Sequence, residues 1–403
     1  MSYFSLPNIL TDYKIDEIIE YKQGKLQEIF SVINLTMSSY INLAKEQIDN
    51  RQNEWDRFKK YTNPYEYIHT PAPSSKLSVC KLNPLSRSFY KMIEICGTLH
   101  IFDTLPKDKC KTFHFAEGPG GFIEAISYLR ENIKDEYYGM TLLNEHTATI
   151  PGWKKSQAFL KKNSNVIVWS GRSGDGDMLN ADNLIECYNQ HKMTCDLVTG
   201  DGGFDFTLDF KHQEAVSLKL AFAQCAFAFA SQKTGGDFII KLFDTYTQAS
   251  IDLLYILSNV YEKVYVVKPY TSRQANSEKY IVCKNFKIVN SFPIVNAMYQ
   301  VIKLFDNYTH PLRFVNCDIS YNFLCAIQEV NAIIGQSQLE NISTTLNLID
   351  SCPGDRLETL KKNNINKCVS WCQKFKMPYN KIYASSNVFM PHHGSETDDE
   401  LFV

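Results

Sequence analysis

The sequence has almost no excess charge: 42 basic residues stand against 44 acidic ones, a net charge of −2 at pH 7 in 403 residues. The chain-wide positive field that advertises nucleic-acid binding is therefore missing. No apolar run reaches the roughly 18 residues needed to cross a bilayer. The first stretch, "MSYFSLPNILTDYK", has no basic segment followed by an apolar one, so a secretory leader is not expected. These absences predict a soluble intracellular protein with no membrane association. The 12 cysteines form no CxxC pair, and the nearest two are Cys368 and Cys372. The nine histidines form no ligand-spaced cluster. A disulfide framework and a zinc site are thus disfavoured, free thiols in a reducing compartment are expected, and no metal is expected.

What is present is enough for a large core, with 44% hydrophobic and 13% aromatic residues. The length fits one large domain with appendages, or two domains. Charge is unevenly spread: residues 51 to 91 hold eight Lys or Arg against three Asp or Glu, interleaved with Trp55, Phe58, Tyr61, Tyr65 and Tyr67. Such a strip is either a solvated face over ordinary core aromatics or a platform for an RNA backbone and a stacked base.

Residues 9 to 50 read as helical, because "DEIIEYKQGKLQEIFSVI" spaces apolar residues by three and four. Proline and serine punctuate "NPYEYIHTPAPSS". Strands are then predicted at 112–116, 137–142, 165–169, 195–199, 237–242, 263–268 and 279–283. Helices are predicted at 85–103, 121–133, 154–162, 210–231 and 247–261. The alternation predicts an α/β fold, a mostly parallel seven-stranded sheet with helices on both faces. The last two strands flank a loop with no helix between them, which predicts an antiparallel pair at the sheet edge. Beyond 290 the chain reads as mainly helical, ending in an acidic disordered tail, "PHHGSETDDELFV".

The stretch "FHFAEGPGGFIEAISYLR" is a strand, a glycine turn and a helix. Bare backbone and the unpaired N–H groups of a helix start make such a junction a ligand site. The spacing is not G-x-G-x-x-G, which counts against a dinucleotide, and no Lys-Ser/Thr follows, which counts against a phosphate loop. A ligand of little negative charge, such as S-adenosylmethionine, fits what remains, and a mere tight turn stays open on these residues alone. "GRSGDGDML" follows an apolar strand and brings Asp175 and Asp177 to the same edge, either for a ribose or adenine or simply as turn caps. "CDLVTGDGGF" delivers Asp201 to a strand end, and "GGDFIIKLF" puts Lys241 in an otherwise apolar strand. A lysine there is costly unless something holds its charge, or unless it snorkels from an edge. Glu278 in "SRQANSEKY" and Lys91 in "SRSFYKMIEICG" complete the set.

Taken in order, "SRSFYKM", "AEGPGGF", "YYGMTL", "GDGDML", "TGDGGF", "TGGDFIIKLFD" and "KPYTSRQANSEKYIVCK" resemble the FtsJ-like (RrmJ-type) ribose 2′-O-methyltransferases. The resemblance is closer to the cap-specific mRNA enzymes of eukaryotes and large DNA viruses, and runs from "TNPYEYI" to "YIVCK". It implies a Rossmann-like S-adenosylmethionine-dependent fold over 61–290. Residues 1–60 would then be a helical extension, 291–390 a mainly helical region and 391–403 the tail. It implies a catalytic tetrad of Lys91, Asp201, Lys241 and Glu278. It also implies cofactor contacts at Glu117, Gly118, Pro119, Gly120, Gly121, Phe122, Asp177 and Met178. One departure is His114, where many members carry an acid.

A ribose hydroxyl is a poor nucleophile with a high pKa, so such an enzyme chiefly aligns it and removes its proton. A lysine serves as base only if its pKa is brought down. On this reading Lys241 is the base, Lys91 holds the hydroxyl or oxyanion, Asp201 orients Lys241, and Glu278 holds Lys91. Ser86, Arg87, Lys59, Arg273, Asn276 and Tyr65 are the expected RNA and cap contacts, with Lys268 on phosphate and Trp55, Tyr61 or Tyr67 as further stacking surfaces. The expected substrate is the 5′ end of capped mRNA, methylated on the first transcribed nucleotide. The second cap nucleotide, internal RNA and a non-catalytic RNA-binding subunit are the other readings; the turn chemistry disfavours a nicotinamide enzyme. Other capping or transcription proteins are the expected partners, in nucleus or cytoplasm. The Asn-, Lys-, Ile- and Tyr-rich composition also suits a large DNA virus with its own capping machinery, and hence a viral factory or virion.

Overall fold

The computed structural model describes residues 1–9, 14–143, 152–203, 212–351 and 354–386. The expected acidic tail lies outside them. The strands are β1 (Ser2–Ser5), β2 (Ile19–Gly24), β3 (Lys111–Phe115), β4 (Glu136–Met140), β5 (Val166–Val168), β6 (Cys195–Gly200), β7 (Gln232–Leu242), β8 (Tyr261–Lys268), β9 (Lys279–Phe286) and β10 (His310–Val315). The helices begin with α1 (Ile15–Ile18), α2 (Leu35–Asp49), α3 (Gln52–Thr62), α4 (Ser88–Leu99), α5 (Gly121–Arg130) and α6 (Gln157–Lys162). They continue with α7 (Ala181–His191), α8 (Gln213–Ser231), α9 (Gln248–Val260), α10 (Phe292–Ile302), α11 (Tyr321–Ser351) and α12 (Gly354–Lys374).

Eight strands form the main sheet in the order β1-β8-β9-β7-β6-β3-β4-β5. β7, β6, β3, β4 and β5 pair in parallel, and β9 inserts antiparallel between β7 and β8. The period-two pattern of β7 explains its depth. Phe238 and Ile240 enter the core on one face, with α7 to α10, while Ile239 enters the other, with α4, α5 and α12. α8 is apolar almost all round, as a helix covered on every side must be.

Two expectations need correction. The sheet has an eighth strand, because β1 pairs antiparallel with β8 and takes the edge position. The helix expected through 9–50 is interrupted: residues 19–24 form β2, paired with β10 in a separate two-stranded sheet. Alternating Ile19, Tyr21 and Gln23 carry a strand period inside a stretch whose wider spacing imitates a helix, and tertiary packing decides between them. The Tyr21 ring settles against Phe305 and Phe314, with centroids 5.3 and 6.0 Å away. α7 and β10 are further elements that the periodicity did not announce.

Strand order reverses between β3 and β6: from β3 the sheet grows through β4 and β5, and from β6 through β7. Loops leaving adjacent strands at such a point diverge and leave a crevice at the strands' carboxyl ends. The glycine turn leaves β3 there and Asp201 leaves β6. The Asp201 backbone N–H still donates to the Phe115 carbonyl at 3.2 Å, so the two strands stay paired up to that residue.

Candidate active site

Sheet register assembles most of the site. Gly200 pairs with Ile240, so Asp201 lies level with Lys241 on the neighbouring strand. Lys241 Nζ donates to the Asp201 carbonyl at 2.7 Å and lies 3.1 Å from its Oδ1. Across the antiparallel pair, Lys241 stands opposite Tyr280. The buried Tyr280 joins two ion pairs. Its hydroxyl lies 3.4 Å from Asp201 Oδ1, and its ring lies 5.9 Å from Lys91 Nζ. Lys91 reaches in from α4 and meets the Glu278 carboxylate at 2.6 and 2.8 Å. The structure therefore brings buried Lys91 and Glu278 together with half-buried Asp201 and Lys241 in one cluster of two cations and two anions.

The electrostatics differ from the expectation at one point. Burial pushes Lys91 below an ordinary lysine, with Glu278 opposing and the positive Arg87 adding to the fall. Burial acts on Lys241 in the same sense, but Asp201 and then Glu278 outweigh it and leave Lys241 above its ordinary value. The lysine that burial depresses is thus Lys91, not the expected base. Glu278 is held below the carboxylate range: burial opposes this, but Lys91, Lys241, Lys268 and Arg87 together prevail.

The glycine turn is packed against protein. A Cβ on Gly121 would meet the Ser86 and Ser88 hydroxyl oxygens at 2.2 Å, and one on Gly118 would meet the Gly152 carbonyl at 2.7 Å. Ser86 is accordingly half-buried against α5, its hydroxyl bonded to that of Ser88. Pro119, Gly120 and Phe122 continue the turn into α5, whose Phe122 backbone N–H donates to Glu117 Oε1. Glu117 Oε2 is buried with no partner. Burial, reinforced by the negative Asp201, pushes this carboxyl well above its usual range. A buried carboxyl with an orphan oxygen is what a ligand ammonium requires, so the residues present fit the amino-acid end of S-adenosylmethionine. Asp177 is half-buried at the same sheet edge, its Oδ1 accepting from the Leu179 N–H at 2.8 Å, and Met178 is buried beside it. His114 is a core residue. Its two ring nitrogens bond the hydroxyls of Thr112 and Thr199 at 2.7 Å each, and burial lowers its pKa to about 3. Among the described residues no group of three or more His, Cys, Asp or Glu side chains is placed to hold a metal ion. No described helix is long and apolar enough to cross a membrane.

The expected RNA contacts sit in a less open setting. Lys268 is a correction. It is buried, and its ammonium donates to the Asn276 carbonyl (2.7 Å), the Asn276 side chain (2.8 Å) and the Glu278 carbonyl (2.6 Å). Burial lowers it to about 7, and it holds the Asn276–Glu278 turn, not a phosphate. Arg273 forks onto Glu66 at 2.6 and 2.9 Å. Burial alone would raise Glu66, but Arg273 brings it down to about 2. Arg87 is half-buried beside them, feeling both Arg273 and the acids Glu278 and Glu66. Lys59 pairs with Asp56 on α3. Trp55 and Tyr67 are buried in apolar clusters and offer no stacking face. Tyr65 is half-buried, stacked on Tyr270 at 5.0 Å.

Sequence reasoning missed Glu94. It is buried on α4, three residues after Lys91, and accepts from the Tyr270 and Thr271 N–H groups at 2.7 and 3.1 Å and from Trp371 Nε1 at 3.3 Å. It anchors the start of the 269–278 loop as Lys268 anchors its end. The signal was available: a second charge on the inward face of "FYKMIEIC" cannot be buried without partners.

Comparison with known proteins adds a family. The FtsJ-like methyltransferase model matches residues 84–286. The chain is similar to cap-specific mRNA (nucleoside-2′-O-)-methyltransferase 1 of Dictyostelium discoideum, 26% identical over 306 residues, covering 71% of this chain and 39% of that protein. To the enzyme of the same name from Ailuropoda melanoleuca it is 31% identical over 257 residues, covering 58% and 29%. To cap-specific mRNA (nucleoside-2′-O-)-methyltransferase 2 of Mus musculus it is 26% identical over 359 residues, covering 85% and 45%. The chain spans less than half the length of each of these relatives.

Proposed function

The chain belongs to the FtsJ-like methyltransferase family, and from that premise we propose that it methylates the ribose 2′-hydroxyl of the first transcribed nucleotide of capped mRNA. The observation that carries this reading is the meeting of the Lys241–Asp201 and Lys91–Glu278 pairs beside the orphan oxygen of Glu117. S-adenosylmethionine, when bound, supplies an electrophilic methyl on a sulfonium. Glu117 would hold its ammonium, with Asp177 and Met178 as further contacts.

The chain's own residues do the rest. Lys91, locked by Glu278, donates a hydrogen bond to the ribose hydroxyl and steadies negative charge on its oxygen. Lys241 takes the hydroxyl proton on Nζ. In the free protein its proton is held by Asp201 and Glu278. A cation bound against Asp201 withdraws part of that carboxylate from Lys241 and lowers its pKa, so base strength appears with the ligand. The expected kinetics follow in sign. kcat/KM, reporting free protein, needs Lys241 neutral and Lys91 protonated; with Lys241 raised and Lys91 lowered, it should climb with pH until Lys91 begins to lose its proton. kcat, reporting the complex, should level off at lower pH. Coincident inflections would remove the argument for ligand-driven activation. Arg87 and Arg273 line the approach as phosphate contacts, and Ser86, Asn276, Lys59 and Tyr65 border it.

The test uses labelled S-adenosylmethionine and three RNAs of identical sequence: uncapped, guanosine-capped and 7-methylguanosine-capped. Label on the first-nucleotide ribose, in capped RNA alone, is the expected result. Label on the second nucleotide or inside the strand moves the substrate, and cofactor binding with no label favours a non-catalytic subunit.

A further inference from the structure

α11 and α12 lie outside the family match, yet they wall a cleft that the tetrad does not use. The cleft is an open groove of about 380 Å³, bordered by α3, α11, α12 and the 269–278 loop. That volume is within the roughly 300–1,000 Å³ of small-ligand sites. Tyr61, Gln274, Asn341, Thr344, Asn363 and Asn364 line it, and its two charged wall residues, Glu340 and Lys367, have opposite signs. Such a wall has little to offer a phosphate. It is rich in groups that both donate and accept, with one aromatic face, which is the chemistry that reads an unstacked base.

The walls are also pre-set. Asn364 donates to the Tyr61 carbonyl and Asn341 to the Thr62 carbonyl, each at 2.8 Å, and the Thr62 and Thr345 hydroxyls bond at 2.7 Å. Gln338 of α11 donates to the Ala275 carbonyl at 3.1 Å, tying the helix to the residue beside Gln274. Asn341 Oδ1 is left buried without a partner. Gln274 shares its loop with Arg273, Asn276 and Glu278, so one loop joins the wall of the cleft to the catalytic cluster.

We infer that this cleft seats a nucleobase of the RNA substrate, flanking the nucleotide whose ribose meets the tetrad. The inference rests on the RNA methyltransferase reading above. Tyr61 supplies the stacking face and the amides of Gln274 and Asn363 the edge contacts, so the C-terminal helices set strand register and base preference.

The full chain is irradiated with capped RNAs carrying 4-thiouridine at successive positions, and the adducts are mapped. One position should crosslink to peptides containing Tyr61 or Gln274. Tyr61→Leu and the double variant Gln274→Ala/Asn363→Ala should each weaken that adduct and raise KM for RNA roughly tenfold. kcat should fall less than KM rises, with S-adenosylhomocysteine affinity unchanged. Changing the base at that position should matter more in the wild type than in the variants. Adducts confined to other surfaces, or an unaltered KM, overturn the inference, as does occupation of the cleft by a protein segment while RNA binds normally. Crosslinking needs no turnover, so a protein that transfers no methyl refutes the function while the adduct map still judges the cleft.

Discussion

Lys241→Ala should lose turnover by roughly a thousandfold or more, the upper part of the range for removing a general base, while binding S-adenosylhomocysteine within a few-fold of the wild type. Lys241 contacts the Asp201 carbonyl and carboxylate and lies over the Phe243 ring at 5.8 Å. None of these contacts belongs to the Glu117 turn, so the cofactor side should survive. Asp201 itself retains the Tyr280 hydroxyl. A lost base and a lost structural cation are distinguished by rescue. Small primary amines should restore part of the rate to Lys241→Ala, because the vacated space lies where the proton must go. They should not rescue Lys241→Met, which keeps the bulk and fills that space. Equal turnover in wild type and Lys241→Ala would sink the base assignment. Rescue of neither variant, with the fold intact, would leave Lys241 as a positioning cation and move the proton to Lys91, which burial has already lowered.

Much of the site was legible because its residues break local rules. Lys241 stands in an apolar strand, Asp201 at a strand end among glycines, and Lys91 inside an apolar helix, and each violation needs a partner that the fold supplies. The central strands were legible for a related reason: their apolar runs are short and rich in β-branched or aromatic residues. Three things were hidden. β2 carries a strand period within a helical one, and only Phe305 and Phe314, nearly three hundred residues away in sequence, decide the matter. The direction of the lysine shifts depends on distances to Asp201 and Glu278 that no spacing encodes. Lys268 looks like any strand-terminal lysine until the chain folds back over it and offers three oxygens from a single turn. In the first two cases the deciding interaction joins distant segments, and in the third it closes a loop of eight to ten residues; single-sequence periodicity carries neither.

Glu278→Gln should be the most destabilising polar substitution in the cluster. Glu278 is 8% exposed and Lys91 5%, and the Ser272 hydroxyl donates to Oε1 at 2.9 Å. The amide keeps the shape and the serine contact but leaves the Lys91 ammonium buried without its anion, with Arg87, Lys241 and Lys268 close enough to repel it. Breaking one side of a buried pair costs about 3–5 kcal/mol. The pH dependence has a definite sign. Lys91 is already depressed in the fold, and losing Glu278 depresses it further, whereas an unfolded lysine keeps a value of about 10.4. Between those two values the unfolded chain binds more protons, so the variant's stability rises with pH. Urea unfolding should show its deficit against wild type shrinking from pH 7 towards about pH 9.5. Adding Lys91→Met removes the stranded charge and should recover part of the stability but none of the activity, because the thioether keeps the length of the lysine side chain without a buried unpaired ammonium. A deficit that is flat with pH, or a double variant no more stable than Glu278→Gln alone, would mean that Glu278 stabilises the fold through the Ser272 contact and the 276–278 turn held by Lys268, and not through Lys91.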